Sequence, residues 1–157
     1  MFVLGIDPGL TTTGYAVIGN GEIAAMGVIR TSRDDAMPVR LAEIRRDLAD
    51  LIKEFSPSVM AIEQVFVNRN LQTATSVVRA SGAAMIAAAE AGVPVVEYSP
   101  SAVKSAVAGY GRAPKDQVQR MVAVRMGLSE IPAPADAADA VAIALCHLQQ
   151  RTLGSLR

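Results

Sequence analysis

Residues 60–66 read MAIEQVF. An apolar run ends on the carboxylate Glu63, and the aromatic Phe66 follows where a loop should begin. With the residues before it the run is SVMAIE, apolar at successive positions. It therefore reads as a strand buried on both faces, the kind found inside an α/β sheet. Ligands of open α/β sheets bind beyond the carboxyl ends of the strands. A carboxylate at that end of a buried strand asks what else lies there.

Outward from this stretch, the chain alternates strands and helices. FVLGID is a short apolar run closed by Asp-Pro-Gly, a strand followed by a turn. TTGYAVIG and EIAAMGVIR are β-rich and separated by Asn20-Gly21, a strong hairpin signal. In MPVRLAEIRRDLADLIKEF the apolar residues Leu41, Ile44, Leu48, Leu51, Ile52 and Phe55 recur at helical spacing. A small-residue helix is expected over about 71–91, with Gly92 as its stop, then a fifth strand in VPVVEYS. Helices follow around SAVKSAVAGY, KDQVQRMVAVRM and PADAADAVAIALCHLQQ, with GRAP as a loop. The order β-β-β-α-β-α-β followed by helices indicates an α/β domain with a mixed sheet.

Composition narrows the function classes. The chain has 157 residues, enough for one domain spanning 1–157, and 51% are hydrophobic, so it folds rather than remaining disordered. No apolar run reaches the roughly 18–20 residues of a membrane span, and the N-terminus lacks the features of a signal peptide. The single Cys146 excludes an internal disulfide and suits a reducing cytoplasm. One Cys and one His argue against zinc, so a metal here would sit on oxygen ligands. The formal net charge is zero, so the overall field does not draw phosphates, although the fifteen Lys and Arg can still gather on one face.

Asp7 ends the first strand and Glu63 the fourth. A right-handed crossover through the first helix would set these strands parallel and side by side, with both carboxylates at one sheet edge. Near the C-terminus, Asp136 and Asp139 are spaced i, i+3, on one helical face at the helix start, where the dipole tolerates anions. Each acid has an ordinary reading as a turn, strand-end or helix-start residue. Together they would converge, and four carboxylates are favourable only around hard cations such as Mg²⁺. Two such ions about 4 Å apart suit phosphodiester hydrolysis. His147 lies eleven residues beyond Asp136, about 16 Å along the axis, and reads as a packing or interface residue. Phe66 fits the core, or else stacks on bases. Lys104 and Lys115, with Arg69, Arg79, Arg112 and Arg120, would form a phosphate-contacting surface if their elements border the acids.

GIDPGLTTTGYAVI, AIEQVFVNRN and ADAADAVAIALCH, with VKSAVAGYGRAPKDQV between the last two, resemble the motifs of the RuvC-type Holliday junction resolvases. The resemblance covers essentially the whole chain. It implies an RNase H-like fold with a five-stranded mixed sheet in order 3-2-1-4-5. It implies a homodimer that binds four-way junction DNA and nicks two strands of like polarity, leaving 5′-phosphate and 3′-hydroxyl ends. It implies Asp7, Glu63, Asp136 and Asp139 as catalytic metal ligands for two Mg²⁺ per subunit, with Mn²⁺ able to substitute. Phe66 would be the base-stacking aromatic and Lys104 and Lys115 the site lysines; apart from the resemblance, Arg69 is expected as a further DNA contact on the basic surface. A branch-migration motor of the RuvA/RuvB type is the implied partner, in the cytoplasm and away from membranes. Three rivals remain: one lobe of an actin-like or sugar-kinase nucleotide binder, a junction-binding module that does not cut, and a related nuclease acting on RNA or another branched DNA.

Overall fold

Phe2–Asp7 (β1), Thr12–Gly19 (β2) and Glu22–Arg30 (β3) form an antiparallel meander in the computed structural model, which describes residues 1–67 and 70–156. The turn between β2 and β3 is Asn20-Gly21, with φ of 55° and 78°. Two consecutive positive φ values match the right-handed twist of the flanking strands, which is why Asn-Gly serves there. Met37–Phe55 (α1) then crosses to Val59–Glu63 (β4), which pairs parallel with β1. Leu71–Glu90 (α2) leads to Val95–Tyr98 (β5), parallel to β4. Pro100–Ala108 (α3), Lys115–Arg125 (α4) and Ala135–Gly154 (α5) complete the chain. The five strands lie in the order β3-β2-β1-β4-β5, as the resemblance implies.

Strand side chains alternate between faces. Leu4, Ile6, Met60 and Ile62 point to one face, where they are fully buried against α1 and α2. Each contributes roughly 1.5–3 kcal/mol of burial. Val3, Val59 and Ala61 point to the other, packed under α3, α4 and α5. By the same alternation Asp7 and Glu63 belong to the α5 side. Ile6 pairs with Ile62, so the two acids that follow leave the sheet at the same level. The buried fourth strand read from MAIEQVF is thus the central neighbour of β1.

The elements fall where the periodicities place them, with small differences at helix ends, α3 for instance closing at Ala108 rather than Tyr110. α2 stops at Glu90, one residue early, and Gly92 turns the chain with φ 70°. α5 continues to Gly154, beyond the expected end near Gln150, because the polar tail QQRT carries no helix breaker. Among the described residues, no helix is long and apolar enough to cross a membrane.

Candidate active site

Asp7 stands at the end of β1, beside the first turn of α5. What brings α5 there is the absence of side chains beneath it. A Cβ on Gly14 of β2 would overlap the Asp136 carbonyl, and one on Gly5 of β1 would overlap the Ala140 carbonyl. The contact face of α5 is itself small, with Ala137, Ala140 and Ala144 buried. Helix backbone therefore lies almost directly on strand backbone. Asp136, in the first turn of α5, and Asp139, one turn on, reach over the sheet edge to Asp7. One carboxylate oxygen from each of Asp7, Asp136 and Asp139 lies within 4.8 Å of the others. The donors are hard oxygens, in the number and spacing that a divalent cation accepts.

Glu63 stands outside that set of three but shares its field. It lines a cavity of about 380 Å³ together with Lys104, Lys115, Asp139 and the apolar Val103 and Val118. The electrostatics record the crowding. Asp7 is pushed up from the ordinary carboxylate range to about 8, by burial first and then by the charges of Asp139, Glu63 and Asp136. Burial also raises Glu63, with Asp139 adding to it and Lys104 and Lys115 pulling the other way. Lys115 Nζ lies 3.0 Å from Asp139 Oδ2. That hydrogen bond holds the lysine above its usual range, while burial opposes it. Asp7 and Glu63 thus resist ionising beside their acidic neighbours, and two lysines stand at the rim.

Phe66 follows β4 in the segment before α2 and is 51% exposed, so it is not a core residue; its neighbour Val67 is exposed as well. Arg69 lies outside the described residues. Arg79 and Arg112 are exposed. Arg120 donates to Asp116 one turn back on α4, at 2.7 Å, in an exposed ion pair. His147 bonds through Nδ1 to the Tyr98 hydroxyl at 2.7 Å, and burial lowers its basicity. It joins α5 to β5, in keeping with its reading as a packing residue. Sequence reasoning missed the two glycines. Their signal was glycine inside an apolar strand, which marks a close backbone approach. It also missed Arg40, a buried arginine on the apolar side of α1.

A family profile described as crossover junction endodeoxyribonuclease RuvC matches residues 3–147. A protein of that description from Syntrophomonas wolfei is 48% identical over 99% of this chain and 92% of its own length. One from Heliobacterium modesticaldum is 48% identical over 98% of each chain. Among solved structures, Thermus thermophilus RuvC in complex with a Holliday junction substrate superposes with a TM-score of 0.92 at 39% identity, covering 99% of this chain and 97% of that one.

Proposed function

The chain belongs to the crossover junction endodeoxyribonuclease RuvC family, and from that premise we propose that it resolves four-way DNA junctions by symmetric nicking of two strands of like polarity. It is an endodeoxyribonuclease with the RNase H-like fold of that family. The observation that carries the mechanistic reading is the convergence of Asp7, Asp136 and Asp139 within 4.8 Å at one sheet edge.

Asp7, Asp136 and Asp139 hold divalent metal there, and Glu63, ending the neighbouring strand, completes the ligand set. Mg²⁺ is the expected ion, two per subunit, with Mn²⁺ able to substitute. When bound, such ions supply an activated water and electrostatic stabilisation of a departing 3′ oxygen. Strand ends and a helix seated on glycine are rigid mounts, which is what positioning of ligands requires. Lys115 keeps Asp139 oriented through their ion pair, and Lys104 and Lys115 together face the scissile phosphate. Strand cleavage leaves 5′-phosphate and 3′-hydroxyl ends. Phe66, exposed beside the site, stacks on bases opened near the crossover, as an aromatic wedge does. Arg69 contributes a further DNA contact.

A two-fold dimer suits a two-fold junction, since each subunit presents one site to one strand. Support for a homodimer comes from α2, whose outer face carries exposed Leu71, Val78 and Ile86, with open space at Gly82 between them. Residues 1–157 act as one nuclease domain in the cytoplasm, away from membranes, in concert with a RuvA/RuvB-type branch-migration motor.

The deciding assay is cleavage of a labelled four-way junction against linear duplex, with Mg²⁺ and with EDTA. Paired symmetric nicks on the junction alone are expected, lost with EDTA. Asp7→Asn should lower cleavage by at least about 10³-fold while leaving junction affinity within about threefold. Binding without cutting under all conditions would mark a non-catalytic module. Phe66→Ala should slow cleavage of a fully paired junction more than of one with unpaired bases at the crossover; equal losses would exclude the wedge role.

A further inference from the structure

Arg40 is 8% exposed, yet among the described residues no carboxylate lies within ion-pair distance of it. Its Nε donates to Thr31 Oγ1 at 2.9 Å and its Nη2 to Thr11 Oγ1 at 3.1 Å. Thr31 Oγ1 in turn donates to the Leu10 carbonyl at 2.7 Å. These partners are neutral, so among the described residues no counter-charge offsets the guanidinium. A buried cation without a counter-charge is costly. Nη1 has no partner among the described residues. Arg40 lines a cavity open to solvent.

That cavity, of about 600 Å³, is walled by Arg40, Arg33, Thr11, Gln72, Thr73 and Ser76. Two arginines, three hydroxyl residues and one amide residue line it, together with the apolar Leu10 and Val77. Asp34 and Asp35, adjacent in sequence to Arg33, are not part of its wall. A tetrahedral oxyanion satisfies this set, since the guanidinium fork presents paired donors to two of its oxygens.

We propose that this cavity binds a backbone phosphate of the junction DNA, a second anchoring point away from the scissile one; this rests on the resolvase reading above. The position favours DNA over a free anion. Leu10 and Thr11 belong to the turn that follows Asp7, and Gln72 and Thr73 open α2 just past the Phe66 segment. The cavity therefore sits at the same carboxyl edge of the sheet as the acids, but on the α1 and α2 side, where Leu10 joins the core. A strand crossing the sheet edge past Asp7 is gripped on its far side by Arg40 and Arg33. The Thr11 contact gives the grip a direct line to the turn next to Asp7.

The test is junction affinity in EDTA across a range of KCl concentrations, for wild type, Arg33→Gln and Arg40→Gln, with thermal melts to check folding. Arg33 is exposed, so its variant stays folded even if Arg40→Gln does not. Arg33→Gln is expected to weaken binding roughly tenfold and to lower the slope of log affinity against log salt by about 1. Junctions with a single methylphosphonate placed in turn around the crossover locate the contact. At one position wild type should lose affinity and Arg33→Gln should lose no more. Unchanged salt slopes, or no such coupled position, would overturn the site. So would stabilisation of wild type by inorganic phosphate that depends on Arg33, with junction binding unaltered, since it would assign the cavity to a free anion. A wild type with no preference for junction over duplex would sink the resolvase reading instead, and a phosphate contact would still register on duplex.

Discussion

The two faces of the sheet are built from different volumes. Toward α1 and α2 the strands present Leu4, Ile6, Val17, Met60 and Ile62, a layer of large apolar side chains. Toward α5 the same strands carry Val3, Ile18 and Val59 at the end away from the acids, but Gly5, Gly14, Ala16 and Ala61 nearer to them. The large face is an ordinary core, and helices rest on it at side-chain distance. The small face lets a helix backbone settle onto the strands. Only that closeness brings the first turn of α5 to the end of β1, so Asp136 and Asp139 meet Asp7. The first face holds the fold together, and the second sets the geometry of the acids.

Changing one carbon on each face would test this division. Gly14→Ala places a Cβ against the Asp136 carbonyl, a backbone atom that cannot rotate away. The helix must shift, and a displacement of about 1 Å at a reacting site costs on the order of 100-fold in rate. Junction cleavage under saturating Mg²⁺ should fall by about that factor, while overpacking costs about 1–3 kcal/mol of stability. On the other face, Ile62→Val removes a methylene from a fully buried site. It should cost about 0.5–1.5 kcal/mol in a denaturant melt and leave the cleavage rate within about threefold. If Gly14→Ala cuts at the wild-type rate, the close seating of α5 does not set the acid geometry.

Much of this was legible before any coordinates. Alternation and helical spacing located the strands and helices, and Asn20-Gly21 located the hairpin. The placement of Asp7 and Glu63 at one edge followed from the handedness of the crossover. Asp136 and Asp139 could be set on one helical face, but periodicity alone could not dock that face against the sheet. The docking depends on Gly5 and Gly14, which a hydrophobicity pattern scores as weak strand residues although their lack of volume is what matters. Phe66 illustrates the opposite case. Composition places an aromatic in the core by default, and only the path of the chain after β4 leaves it half exposed. Arg40 was unreadable for a related reason. It occupies a buried position of an amphipathic helix, and the hydroxyls that receive it come from Thr11 and Thr31, distant in sequence.

The acids assembled on the small face come at a cost to the metal-free fold, and that cost has a sign and a pH window. Asp7 titrates near 8 in the folded protein, against an ordinary carboxylate value near 4 when unfolded. Below about pH 4 both states hold the proton and the group does not affect stability. As pH rises from there toward 8, the folded state keeps a proton that the unfolded state has released, and stability falls. Above about pH 8 the penalty is complete. Asn at position 7 carries no charge and escapes it. In EDTA at pH 8.5, Asp7→Asn should therefore melt above wild type. At pH 4 the two should melt together. Adding Mg²⁺ at pH 8.5 should raise wild type and narrow the gap, since a cation bound to the folded state alone stabilises it by mass action. A variant that melts below wild type at pH 8.5 in EDTA would show that the bonds Asp7 makes outweigh the repulsion, and the small face would then be a second structural core that happens to carry acids.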